Sequence, residues 1–236
     1  KHQEMDSASK ISTASAALIA GLGLLVMAVA APFAELYVLP KLIVPYMTAQ
    51  TAANIQAHES LFTAAIYAYF ITFICDLIVA WALYILLKPV NEHLSLLTAL
   101  FRWVYTVIAI MALMNLITAL GLLTTPKYLT IFEKDQLYAQ AMVSIRAFKN
   151  HWYFGIILFA IHLFLLGYMV IKSTYIPKIL GILLIITGTG YLLNSIRPYF
   201  FPSISIDFAM FTFFGELVFM LWLLIKGRKL AVTGNQ

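Results

Sequence analysis

Residues 77–101 read LIVAWALYILLKPVNEHLSLLTALF. Two apolar runs meet at Lys88-Pro89-Val90-Asn91-Glu92-His93, a stretch with room only for a tight turn. The first run reaches back to about Ser60 and the second, from Leu94, forward to Leu123. About 20 apolar residues of helix cross the hydrocarbon core of a bilayer, so each run is long enough to span it. The turn makes the two an antiparallel hairpin. In lipid, backbone N–H and C=O groups must be bonded within the segment; helices of this length manage that, whereas barrel strands are about 10 residues long and alternate in polarity.

Four further runs lie outside this hairpin. The first extends from Ile11 to about Leu39 behind Lys10. Its Ala28-Val29-Ala30 resembles a signal cleavage site, but the run is longer than a signal's apolar core. The fourth covers His151 to Ile171, the fifth Ile176 to about Leu193, and the sixth Phe208 to Ile225. Pro177 falls in the first turn of the fifth, where its missing N–H costs nothing. The expected architecture is an all-α polytopic transmembrane bundle of six helices. A single domain would cover residues 11–227, with tails at 1–10 and 228–236. Composition agrees: 63% of residues are hydrophobic and 11% charged, with a mean hydropathy of +0.93, where a soluble domain carries about 25% charge. The single cysteine, Cys75, excludes an intramolecular disulfide.

The net charge of +5 points to membrane lipids and not to nucleic acid. Lysines and arginines sit at the ends of apolar runs, and no basic stripe with interleaved aromatics occurs in a polar segment. Lys1, Lys10, Lys88, Lys172, Lys178, Lys226, Arg228 and Lys229 lie in short segments on one side. Lys41, Lys127, Lys134, Arg146, Lys149 and Arg197 are spread over longer loops on the other. The denser side is expected to be cytoplasmic, which puts both termini inside a multi-pass protein of the cytoplasmic (inner) membrane. No proline stands at a span's centre, unlike the broken helices of many secondary transporters. Trp81, Trp103, Trp152 and Trp222 lie near span ends, as interface anchors do.

Two connections carry structure of their own. Thr130-Ile131-Phe132-Glu133 reads as a capping box. Leu137, Ala141, Met142, Ile145 and Phe148 then share one face, which predicts an amphipathic helix leading into the fourth span. Between Lys41 and Glu59, a short helix is expected around residues 51–57.

Ionisable groups inside a bilayer are costly and need a partner or a purpose. Asp76 and Arg102 each stand thirteen residues from Pro89, so the hairpin places them at one depth. His162 is ten residues before Lys172 and Glu216 ten before Lys226, about 15 Å at 1.5 Å per residue. Asp76, Arg102, His162 and Glu216 thus form an expected polar mid-membrane site. Ala65, Tyr69, Thr72, Asp76 and Ala80 recur at helical spacing as a small and polar stripe, and Thr212 stands one turn before Glu216. Read as structure, Asp76–Arg102 is an ion pair fixing the hairpin and His162–Glu216 a hydrogen-bonded pair. Read as function, the layer exchanges protons or contacts a ligand.

A second group, Glu35, His58, Glu59, His151 and Tyr153, is expected at the outer surface. Glu35, Glu59 and His151 supply the ligand types of a divalent metal, although ordinary capping and interface polarity is the preferred reading of these residues. Sharper motifs fail. Phe62 stands where a zincin helix needs its second His, and only one histidine, His162, lies deep enough for haem ligation. No P-loop and no G-x-S-x-G occurs.

The chain resembles a bacterial family of six-span membrane proteins known as domain of unknown function 4386. The resemblance rests on Leu42-Ile43-Val44-Pro45, Thr51-Ala52-Ala53-Asn54-Ile55, Glu59-Ser60-Leu61-Phe62, Cys75-Asp76, Leu86-Leu87-Lys88-Pro89-Val90-Asn91 and Phe101-Arg102. It continues through His151, Ile161-His162, Leu165-Leu166-Gly167-Tyr168, Pro177, Leu180-Gly181, Gly190-Tyr191-Leu192, Gly215-Glu216-Leu217 and Leu221-Trp222-Leu223-Leu224. It implies a bacterial membrane location and brings no activity with it. The residues themselves leave three readings: a protein that binds or transports a small or lipid-like molecule through the mid-membrane site; an intramembrane metal-dependent enzyme acting on lipid; and a structural or accessory membrane subunit.

Overall fold

The computed structural model describes residues 11–200 and 213–230, and every regular element among them is helical. Helix α1 (Thr13–Pro32) starts at Ser12, whose hydroxyl accepts the Ser15 N–H at 3.0 Å and so satisfies one free donor of the first turn. It passes through a π-helical turn (Phe33–Val38) into α2 (Leu39–Leu42), making one 30-residue rod. Pro32 offers no N–H to the preceding turn, a local defect that the wider turn accommodates. There follow α3 (Thr48–Ala57), α4 (Glu59–Leu87), α5 (Glu92–Thr124), α6 (Pro126–Ile131), α7 (Lys134–Lys172), α8 (Lys178–Phe200), α9 (Phe214–Ile225) and a 3-10 turn, Gly227–Lys229.

Five of these helices are long and apolar enough to cross a membrane: the α1–α2 rod, α4, α5, α7 and α8. They mark the chain as a membrane protein. Of the expected sixth run, Phe208 to Thr212 lie outside the described residues, and α9 is the part that is described. Lys1, Lys10 and the last six residues also lie outside them.

The long helices pack in chain order as a ring. Helix α1 lies against α4, α4 against α5, α5 against α7, α7 against α8, α8 against α9, and α9 returns to α1. Each helix turns one face inward. On α5, Arg102, Tyr105, Thr106, Ala109, Ala112, Leu113, Leu116 and Ala119 are buried, while Val104, Val107, Met111, Met114 and Ile117 are exposed and would face lipid. Small residues bring the walls together. A methyl added at Gly167 would lie 2.6 Å from the Gly181 carbonyl oxygen, so α7 and α8 cross backbone to backbone. Large side chains fill the middle. Tyr69 and Phe73 of α4 meet Trp152 of α7 across the ring, with centroids 5.2 and 6.5 Å apart.

Both ends are tied. At the tight turn, Asn91 accepts the Leu94 N–H at 2.9 Å, and Lys88 pairs with Glu92 at 2.8 Å on the exposed surface. The hydrogen bond from Lys88 and the nearby Glu92 charge hold the lysine's pKa above its ordinary value. Tyr175, between α7 and α8, donates to the Leu86 carbonyl at 2.6 Å, and burial pushes its pKa up to about 12. At the opposite end, Thr51 and Asn54 of α3 hold the backbone of Val44 and Leu42, and Gln56 donates to the Leu123 carbonyl at 2.8 Å.

The amphipathic face 137–148 is buried as expected, and its helix continues into the fourth span as the 39-residue α7. The short helix expected near 51–57 is α3. The capping box does not form. Pro126 starts a separate helix, α6, which takes Thr130 inside; the Thr130 hydroxyl donates to the Lys127 carbonyl at 2.9 Å, and Glu133 caps α7 without a side-chain bond. Trp152 is not an interface anchor. It points into the ring and donates to the Tyr105 hydroxyl at 3.2 Å.

Candidate functional site

The ring's inward faces converge at mid-height. Asp76 Oδ1 accepts from Arg102 Nε at 2.7 Å and from Nη2 at 2.6 Å. Arg102 Nη1 lies 3.3 Å from His162 Nε2, and His162 Nδ1 lies 2.8 Å from the Thr98 carbonyl oxygen. A carbonyl can only accept, so Nδ1 carries the hydrogen and the Nε2 lone pair accepts from the guanidinium. His162 is therefore a neutral imidazole in this arrangement. The Arg102 guanidinium also stands 3.8 Å from Met27 Sδ and 5.1 Å from the Phe159 ring centre. Asp76 and Arg102 are each 1% exposed and His162 is 0% exposed.

Phe159 divides this node from a second polar pair. Its ring stacks on His162 with centroids 5.5 Å apart and touches Tyr191 at 5.9 Å. Beyond it, the Tyr191 hydroxyl of α8 donates to Glu216 Oε2 of α9 at 2.8 Å. Glu216 is half-buried and lies within electrostatic range of Arg102 and Asp76. Every helix of the ring thus contributes to the axis: Met27 from α1, Asp76 from α4, Arg102 from α5, Phe159 and His162 from α7, Tyr191 from α8 and Glu216 from α9. Threonines on these faces are satisfied locally, since Thr72 and Thr106 donate to the carbonyls of Ala68 and Arg102 at 2.9 and 2.8 Å.

The four mid-membrane residues expected from the sequence therefore occupy one region, and the stripe Ala65, Tyr69, Thr72, Asp76 and Ala80 is buried throughout. The expected His162–Glu216 hydrogen bond is absent, because Arg102 and Thr98 take both imidazole nitrogens and Glu216 faces Tyr191. Thr212 lies outside the described residues.

The outer group does not converge. The π-helical turn carries Glu35, which accepts from the buried Tyr69 hydroxyl at 2.5 Å. Tyr153 lies within electrostatic range of Glu35 and of Arg197. His58 is exposed, Glu59 lies in a surface groove with Gln56, Ala57, Ser60 and Thr63, and His151 Nδ1 stands 3.3 Å from the Asn115 amide nitrogen. Among the described residues, no three His, Cys, Asp or Glu side chains come together as metal ligands. The set Glu35, Glu59 and His151 is thus not assembled: Glu35 bonds a buried phenol, while Glu59 and His151 are surface residues.

Sequence reasoning missed Met27, Phe159, Trp152 and the Trp152–Tyr105 bond, because apolar and aromatic residues in a span look alike whichever way they face. Tyr191 could have been found: it is a hydroxyl within the α8 span, the kind of donor a mid-membrane acid on a neighbouring helix needs. Ser195 Oγ and Arg197 Nε, near the C-terminal end of α8, are buried without hydrogen-bond partners among the described residues.

Fold and site together define a polytopic helical membrane protein with a polar node sealed inside a ring of helices. The chain belongs to the family described as Domain of unknown function (DUF4386), which matches residues 19–227. It is 40% identical over 162 residues to an "Uncharacterized protein" of Archaeoglobus fulgidus, a match covering 69% of this chain and 83% of that one. No solved structure matches.

Proposed function

We propose that this chain is a six-span protein of the cytoplasmic membrane, with both termini inside, that binds a small or lipid-like molecule against the polar axis of its ring. The observation that supports this reading is the convergence of Asp76, Arg102, His162 and Glu216 from four helices, with Glu216 left half-buried beside Tyr191. Burying ionisable groups at this depth costs free energy that an apolar core would not.

Native mass spectrometry of the protein extracted directly from its membranes tests this. The wild type should carry a bound small molecule or lipid that is lost from Glu216→Gln and from Tyr191→Phe. A wild type with nothing bound, or variants that keep the same ligand at equal occupancy, would overturn the reading.

The accessory-subunit reading has one observation in its favour: within the node, Asp76, Arg102 and His162 satisfy one another. Such a node serves packing alone if Asp76 and Arg102 can be replaced together by leucine with fold and cellular phenotype retained.

A further inference from the structure

The ionisable groups on the axis do not balance. Asp76 and Arg102 cancel at 2.6 Å. His162 adds no charge, since Nδ1–H is given to Thr98 and the Nε2 lone pair already faces an N–H of Arg102. A second proton on this ring would point at a guanidinium. Glu216 remains. Among the described residues its hydrogen bond comes from the neutral Tyr191, and the ion pairs are Lys88–Glu92 and Asp76–Arg102.

The groups facing Glu216 can be named helix by helix. Tyr191 comes from α8, while Arg102, Asp76 and Tyr105 act from α5 and α4. Helix α1 has no titratable residue. On α9 itself, the next charged residue is Lys226, ten residues away at the helix end. With Glu216 ionised, the axis therefore carries one net negative charge in a medium that strongly disfavours it.

We infer that Glu216, held by Tyr191, is an acceptor for one positive charge, supplied by a proton or by a small alkali cation. This rests on the reading of the axis as a ligand site and names the charge that ligand brings. Three features mark Glu216 for the role over its neighbours. Asp76 is locked by two donors from Arg102, and His162 has no free lone pair. Glu216 alone of the three acceptors is half-buried and has no cation bonded to it among the described residues.

Infrared difference spectroscopy on the full chain in lipid nanodiscs tests this, titrating between about pH 4 and pH 9 to cover perturbed carboxyl groups. The wild type should show one protonated carboxyl band that bleaches as pH rises. Glu216→Gln should lack it, and Tyr191→Phe should keep it with a displaced midpoint. Glutamine can still accept the Tyr191 hydrogen bond, so the first variant should elute and melt like the wild type.

Sodium chloride against N-methylglucamine chloride at constant pH separates the two ions. A band that sodium depletes identifies an alkali cation; a band indifferent to sodium identifies a proton. If the band persists in Glu216→Gln, or if neither pH nor sodium moves any carboxyl band, the inference fails. A Glu216 band in a protein that carries no bound molecule would leave this inference standing while the binding reading falls; a bound molecule without the band would do the reverse.

Discussion

The axis holds two polar sites on either side of the Phe159 side chain, and they are built on opposite principles. Asp76, Arg102 and His162 saturate one another: two donors meet one carboxylate oxygen, and both imidazole nitrogens are used. Tyr191 and Glu216 share a single hydrogen bond, and the acid keeps some exposure. The first resembles a rivet and the second a port. Saturation makes a group expensive to disturb and unavailable for exchange; incomplete pairing makes it cheap to alter and free to change partners.

Four substitutions probe this contrast, all read as thermal unfolding in detergent by tryptophan fluorescence. Asp76→Leu should have the largest effect, a loss of about 3–5 kcal/mol, because it strands a buried guanidinium. Adding Arg102→Leu to it should restore most of that stability. If the single variant is as stable as the double, the pair is not a rivet. His162→Leu should cost about 2–3 kcal/mol, since Arg102 Nη1 and the Thr98 carbonyl lose their partner. Glu216→Gln should change stability by less than about 1 kcal/mol, because the Tyr191 bond survives. A loss there as large as for Asp76→Leu would erase the distinction between the two sites.

The end of the bundle that carries Glu35 supplies an intermediate case. Tyr69→Phe removes the donor to Glu35 and should cost about 1–2 kcal/mol, the scale of a hydrogen bond to a partly exposed charged group. A neutral result would mean that Glu35 finds water as readily as it finds the phenol.

How far the sequence foretold this depends on which forces act locally. Span existence follows from apolar length, and the depth of Asp76 and Arg102 follows from counting outward from Pro89. The stripe on α4 was legible because helical periodicity fixes its face. The Leu42–Asn54 segment was visible only as a motif; the reason for it, Thr51 and Asn54 bonding the backbone of Val44 and Leu42, appears only in three dimensions. Depth alone could not choose partners. His162 and Glu216 share a height, yet the ring puts Phe159 and Tyr191 beside them, and this decides their bonds. The metal set failed for a related reason: a shared membrane side says nothing about direction, and a π-helical turn commits Glu35 to Tyr69. The capping box failed because Pro126 nucleates a competing helix upstream.

Ring closure by α9 against α1 has a consequence for how the protein is made. Helices emerge from a ribosome in sequence order, so Asp76 of α4 and Arg102 of α5 can neutralise each other in a hairpin long before α9 is synthesised. His162 joins a pair already formed. Glu216 is delivered after the other helices of the ring, and only its arrival shuts the ring. A nascent chain stalled before α9 would therefore hold its rivet complete but leave α1 and α8 with an unsealed seam, the kind of half-finished surface that membrane quality control can recognise.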